Sequence, residues 1–393
     1  MPGSHAWPLR LQTLTETVHR STIQRGWRIA RAGFGILLIL LTLSPMKIAL
    51  IAPPFIAVPP TKYGGTELFV AELARGLQLQ GIAVTVYTNG ESTVDAPVRW
   101  LYPKGEWPLR SEVEASLRGL NHSAWALKEA AQAADIIHVN SAPGLSFSRF
   151  IDVPMVYTVH HAFDAALSEF YQAYPKASYV TISDFQREKL SMPDMRTIHH
   201  GINPSLYPVV EKKQEYLSFL GRIAPPKGTH LAIEIAKKSG IPLKIAGEIQ
   251  PVYKNYWETV VKPHVDGKFI EYVGEVGMKD KVELLGNSKA MLFPVQWDEP
   301  FGLVMIEAMA CGTPVLALPG GSVAEVVKEG VSGNVRGAVA ELAECARNLD
   351  IPAPVIRGYM EEYFSVDRMT RDYITLYSEI LRDGVAETEQ IVA

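Results

Sequence analysis

The sequence predicts an α/β protein made of two successive doubly wound, Rossmann-like halves. Three observations predict it. Short apolar runs that end at or just before Gly or Pro recur along the chain, and stretches with helical apolar spacing separate several of them. The series stops at residues 201–215, which hold two prolines, a run of charge and no periodicity, and then starts again. Alternating strand and helix buries a parallel sheet between two layers of helices. With 393 residues, 47% of them hydrophobic, the chain can form two such cores.

Residues 47–53, Lys-Ile-Ala-Leu-Ile-Ala-Pro, read as a strand buried on both faces. A Pro- and Gly-rich loop, 53–65, leads into a helix over 66–80. Phe69, Val70, Leu73, Ala74 and Leu77 share one of its faces, and Gly81 closes it. Strands follow at 83–88, 135–140, 155–160 and 179–182. The second series places strands at 216–223, 243–247, 269–273, 290–294 and 315–318. A final helix, 365–382, sets Val366, Met369, Tyr373, Ile374, Tyr377 and Leu381 at helical spacing. The expected division is an N-terminal extension over 1–45, a first domain over 46–205, a second over 206–364 and a terminal helical segment over 365–393.

Composition narrows the function. A net charge of −4 and an isoelectric point near 6.2 give no reason to expect a nucleic-acid partner. Cys311 and Cys345 form neither a ligand set nor a disulfide framework, which suits a reducing cytoplasm. Residues 1–45 carry five arginines and one acid ahead of an apolar run, 33–43, that is too short to span a bilayer. Leu43-Ser44-Pro45 makes a poor signal-cleavage site. The segment reads as a disordered or artefactual extension, with a shallow membrane anchor as the lesser reading.

The densest chemistry lies at 297–315. Glu299 precedes a Pro-Phe-Gly corner, and Glu307 stands eight positions on, within a helix over 303–310 that Gly312 and Pro314 end. The first N–H groups of that helix lack intrahelical partners, and with the dipole they suit a phosphate. Glu307, one turn in, is placed to accept hydroxyls beside it. Arg222 and Lys227, in Gly-Arg-Ile-Ala-Pro-Pro-Lys-Gly, are fixed cations after a strand, suited to charge that grows on a leaving diphosphate. Tyr63-Gly64-Gly65 opens the first helix and admits close approach of an anion. Neighbouring histidines at 160–161 and 199–200 are not read as metal sites, since adjacent strand residues face opposite ways and no carboxylate or Cys cluster completes a set.

The 299–307 stretch resembles the E-x7-E signature of the family 4 retaining glycosyltransferases (glycosyl transferases group 1, GT-B superfamily). The resemblance runs from about residue 46 to 381 and implies the GT-B fold, two Rossmann-like domains facing a central cleft. It implies that Arg222, Lys227 and the helix start (Phe301, Gly302, Leu303, Val304) bind the donor pyrophosphate. Glu307 would hold the ribose and Glu299 the sugar hydroxyls. His160 would line the sugar pocket, although His161 stands where the family often has an acid. Gly64 and Gly65 would close over the donor, with Glu248 beside the nucleoside and Gly274 near the base. Gly320-Gly321-Ser322-Val323-Ala324-Glu325 looks like the family's turn after the final core strand, expected to cap the donor pocket.

The resulting expectation is a retaining, metal-independent hexosyltransferase using a UDP- or GDP-sugar, with no cofactor. Its acceptor, whether glycan, lipid or small metabolite, is not legible. A GT-B sugar-nucleotide epimerase and a non-catalytic nucleotide-sugar-binding GT-B protein stand as alternatives. No Asp-x-Asp offers a magnesium site for the donor. A cytoplasmic protein is expected. Residues 104–128, with Trp107 and Trp125 among Arg and Lys, fit either weak peripheral contact at the inner membrane face or an ordinary surface helix.

Overall fold

Apolar side chains at successive positions of a strand demand cover on both faces, and the fold supplies it. A computed structural model describes residues 45–392, apart from Tyr63, Arg110, Ser191 and Pro193. The expected extension therefore lies, but for Pro45, outside the described residues, as does the first residue of the Tyr-Gly-Gly motif. From Lys47 onward the chain forms one unit.

The first half contains β1 (Lys47–Ile51), α1 (Gly65–Leu79), β2 (Ala83–Asn89), β3 (Val98–Tyr102), α2 (Glu112–Ala130), β4 (Ile136–Val139), β5 (Met155–Val159), α3 (Ala165–Gln172), β6 (Ser178–Thr181), α4 (Asp184–Lys189) and β7 (Met195–Thr197). Its strands form one parallel sheet in the order β3-β2-β1-β4-β5-β6-β7. Every residue of β4 and β5 is buried, which is why these runs are continuous rather than alternating.

The second half contains β8 (Leu217–Leu220), α5 (Thr229–Ser239), β9 (Leu243–Ala246), β10 (Ile270–Gly274), α6 (Met278–Asn287), β11 (Ala290–Phe293), α7 (Leu303–Ala310), β12 (Val315–Ala317), α8 (Val323–Val326), β13 (Gly333–Val335), α9 (Val339–Arg347) and α10 (Ala353–Phe364). The parallel order is β10-β9-β8-β11-β12-β13. Both sheets are doubly wound, as expected. In each, the strand order reverses beside the first strand, β1 or β8, and such a crevice at the carboxyl ends is where ligands bind.

Three strands escaped the sequence reading. β3, β7 and β13 lie at sheet edges or close the series, and edge strands need little apolar surface. β13 adds on beyond 315–318, so that run is not the last strand of its sheet. The run at 216–223 yields only Leu217–Leu220, because Gly221 and Arg222 already turn into a loop.

The last helix, α11 (Val366–Val392), packs on the first sheet. The Tyr373 and Tyr377 hydroxyls reach Thr158 Oγ1 (2.9 Å) and His138 Nδ1 (2.7 Å) on β5 and β4. A Cβ on Gly76 of α1 would lie 1.9 Å from Thr370 Oγ1, so the two helices meet where no side chain fits. Val366, Met369, Tyr373 and Tyr377 are buried as expected. Ile374 and Leu381 are only half-buried, and Leu376 takes their place.

Candidate active site

The corner before α7 is built from backbone constraints. Gly302 has φ +83°, and a Cβ there would press on Met305 Cε at 2.8 Å and Phe293 Cζ at 3.0 Å. Only glycine makes this turn at low cost, and it starts α7 abruptly, with its first N–H groups facing outward along the axis. The 320–322 turn braces the corner from below. Ser322 N donates to Glu299 O (2.9 Å), Ser322 Oγ to Phe301 O (3.0 Å), and a Gly321 side chain would collide with the Glu299 backbone. This corrects the reading of that turn as a cap on the donor pocket. It supports the Glu299 loop and does not line the cavity.

A cavity of about 780 Å³ opens at the carboxyl ends of the two sheets and is lined by both halves. Gly64, Gly65, His160, Arg222, Lys227, Glu248, Glu299, Phe301, Gly302, Leu303, Val304 and Glu307 all border it. Gly274 does not. Its carbonyl accepts from Gly247 N at 2.9 Å, and Glu275, Val276 and Gly277 form that wall instead.

The charged groups are arranged in pairs the sequence did not foretell. Lys227 Nζ lies 2.5 Å from Glu299 Oε2, which also accepts Trp297 Nε1–H at 2.9 Å. The ammonium sits 4.7 Å from the centre of the Trp297 ring. The loop carrying Lys227 is docked on this segment through Gln296 N to Pro226 O, 2.8 Å. Glu307 Oε1 accepts from Lys281 Nζ of α6 and from the Tyr207 hydroxyl at 3.0 Å. Arg222 reaches Gln250 Oε1 at 3.5 Å, and Gln250 in turn donates to Glu248 Oε2 at 3.1 Å.

His160 follows β5, and its ring stacks on that of His200 at 5.5 Å while Phe69 packs against both at 4.9 Å. Burial pushes its pKa down to about 3, so the ring is neutral. Asn140 Nδ2 donates to Ile51 O (3.2 Å), which turns Asn140 Oδ1 toward His160 Nε2 at 2.9 Å. Nε2 therefore carries the proton, and Nδ1 is the acceptor. His161, whose partners were open, bonds the Tyr171 hydroxyl and Ala162 O.

Lys281, Tyr207, Glu72 and Trp297 border or brace the site without having been anticipated. Glu72 carried a signal, an acid beside the apolar face of α1. Lys281 carried none, since it sits in an ordinary mixed helix. The reading that no carboxylate joins His199 is corrected too. Folding brings Asp184, His199 and Glu325 together. Glu325 is already engaged there, accepting from Asp184 N (2.8 Å), Phe185 N (3.2 Å) and His199 Nε2, which links the second half to α4 of the first.

Two family profiles match the chain. The one described as Glycosyltransferase Family 4 covers residues 63–206, and the one described as Glycosyl transferases group 1 covers 208–344. The chain belongs to the family 4 glycosyltransferases. The chain is 28% identical to the glycogen synthase of Mycobacterium tuberculosis over 260 residues, 57% of this chain and 62% of that one. The match thus spans less than two thirds of the synthase.

Among solved structures, a glycosyltransferase involved in avilamycin A biosynthesis superposes with a TM-score of 0.67 at 22% identity, covering 86% of this chain and 99% of its own. The Anabaena protein HepE, solved in complex with UDP-glucose, superposes with a TM-score of 0.67 at 19% identity, covering 85% and 100%. These likenesses show the GT-B fold.

Proposed function

We propose that this glycosyltransferase moves a hexosyl group from a nucleoside diphosphate sugar to an acceptor hydroxyl, with retention and without a metal. The observation that carries the reading is convergence. Two carboxylates, two cations and a helix start from distant segments border one cavity. Arg222, Lys227 and the α7 start would meet the departing diphosphate, whose charge grows as the anomeric C–O bond breaks. Glu307 would accept the ribose hydroxyls. Glu299, with one oxygen committed to Lys227 and Trp297, is a poor covalent nucleophile and serves the sugar hydroxyls instead.

The acceptor oxygen would bond to the anomeric carbon on the face the diphosphate leaves, and its proton would pass to a diphosphate oxygen. His160, being neutral, would contribute an acceptor nitrogen near the sugar rather than a charge. UDP-sugars are the first candidates, since HepE was solved with UDP-glucose; GDP-sugars are the second. A glycan, lipid or small metabolite would be the acceptor, and the cytoplasm, where nucleotide sugars are made, the site of action.

Weak membrane contact would rest on Trp107, Val113, Leu117 and Leu120, which are exposed. Trp125 turns inward onto Tyr87. Among the described residues no helix is long and apolar enough to cross a bilayer. Titration with UDP-glucose and GDP-mannose in EDTA, followed by assay of released nucleotide, tests the reading. Binding with slow, EDTA-insensitive release supports it, and binding of neither sugar nucleotide counts against it.

A further inference from the structure

Glu307 is not the only acid facing Lys281. Glu72, on α1 of the opposite half, is 6% exposed and borders the same cavity. It is held by the Asn203 backbone N–H, yet its Oε2 has no hydrogen-bond partner. An unpartnered buried carboxylate oxygen is costly and invites a donor. The charged and titratable groups around it are Arg75 on its own helix, Glu307 on α7, Lys281 on α6 and the Tyr207 hydroxyl.

We propose that Lys281 is a shared counterion that passes from Glu307 to Glu72 when Glu307 takes up the donor's ribose hydroxyls, so that donor binding draws α6 toward α1 across the cleft. The inference rests on the ribose role given to Glu307 above. Lys281 and Tyr207 share Oε1 of Glu307, so the two ribose hydroxyls compete with Lys281 when they donate to both oxygens of that carboxylate. A lysine displaced from Glu307 needs another anion, and Glu72 presents one with an open oxygen. Lys281 and Glu72 thereby become positioning residues that couple donor occupancy to closure.

A proton readout separates this from mere packing. Burial raises the Glu72 pKa to about 7, so part of the population is protonated at neutrality. An arriving ammonium returns it toward the ordinary carboxylate range, and the proton leaves. Binding to a form with a lowered pKa is favoured at higher pH. The dissociation constant should fall by about tenfold from pH 6 to pH 8, with about half a proton released at pH 7.

The test is calorimetric titration of the full chain with UDP-glucose and GDP-mannose in two buffers of different ionisation enthalpy. The diphosphate of either sugar nucleotide has no proton to lose near neutrality. Wild type should release the proton, while Glu72→Gln and Lys281→Met should each abolish both the release and the pH dependence. Lys281→Arg, which keeps the charge, should retain them. Circular dichroism verifies that each variant is folded. Binding that depends on Glu307 but releases no proton, or release that persists in Glu72→Gln, overturns the hand-over alone. Binding that is indifferent to Glu307→Gln, or no binding at all, overturns the donor reading and the hand-over with it.

Discussion

Replacing Lys227 by methionine removes a cation whose ammonium lies 2.5 Å from Glu299 Oε2 and 4.7 Å from the Trp297 ring. Two consequences follow, and they can be separated. The leaving diphosphate loses one of its charge-stabilising groups. Loss of one such donor typically costs about 2.7–4 kcal/mol of transition-state stabilisation. Arg222 and the α7 start remain, so the smallest acceptable effect is a tenfold loss of turnover, about 1.4 kcal/mol. Glu299 also loses its ion-pair partner, which should lower stability by about 1 kcal/mol, since the site is partly open to water.

The assay is nucleotide release under saturating donor, paired with thermal unfolding of Lys227→Met and of Lys227→Met/Glu299→Gln. The double variant should recover stability, because no carboxylate is left without its partner, but should not recover turnover. Turnover of Lys227→Met within twofold of wild type would refute the leaving-group role.

Three further outcomes are expected. Glu307→Ala should weaken donor binding by about tenfold or more, the scale of hydrogen bonds to a charged group; an unchanged dissociation constant in calorimetry removes its ribose role. His138 and His160 are held neutral by burial, each near pKa 3 against an ordinary 6.5, so their contribution is present above pH 6.5 and is lost as pH falls toward 3. Glu67 and Glu72, raised to about 7 by burial, oppose this by favouring the fold as pH falls from 7 toward 4.5. Thermal scans of His138→Gln should show a shallower acid decline than wild type, and an identical slope would exclude His138 as a contributor. Gly76→Ala should destabilise by about 1–3 kcal/mol through overpacking on Thr370, with partial recovery in Gly76→Ala/Thr370→Ala by urea unfolding.

The buried strands and α7 were legible because their signals are local. A run such as Met155–Val159 is apolar but for Thr158, and the 303–310 helix lies between Gly302 and Gly312. Edge strands such as β3 and β13 were not legible, since little apolar pattern is required of them. At the site, each residue type was readable but its partner was not. Lys227 and Glu299 stand 72 positions apart, and Lys281 and Glu307 stand 26 apart. Their pairing is fixed by how β8, β11 and α6 sit together, which spacing does not encode. The same limit hid His199 beside Glu325. It also misassigned the 320–325 turn, where Gly321 lies against the Glu299 backbone and Gly320 against the Trp297 carbonyl.

The central claim is that the cavity bordered by Glu299, Glu307, Arg222 and Lys227 binds and activates a nucleoside diphosphate sugar. The most direct measurement is nucleotide release from UDP-glucose, UDP-galactose, UDP-N-acetylglucosamine, GDP-mannose and ADP-glucose in EDTA, by wild type and by Lys227→Met. One donor released slowly by wild type, at least tenfold slower by the variant and without change on adding magnesium, is the result the account predicts. A folded wild type that neither binds nor cleaves any of the five, or a variant that cleaves as fast as wild type, would contradict it.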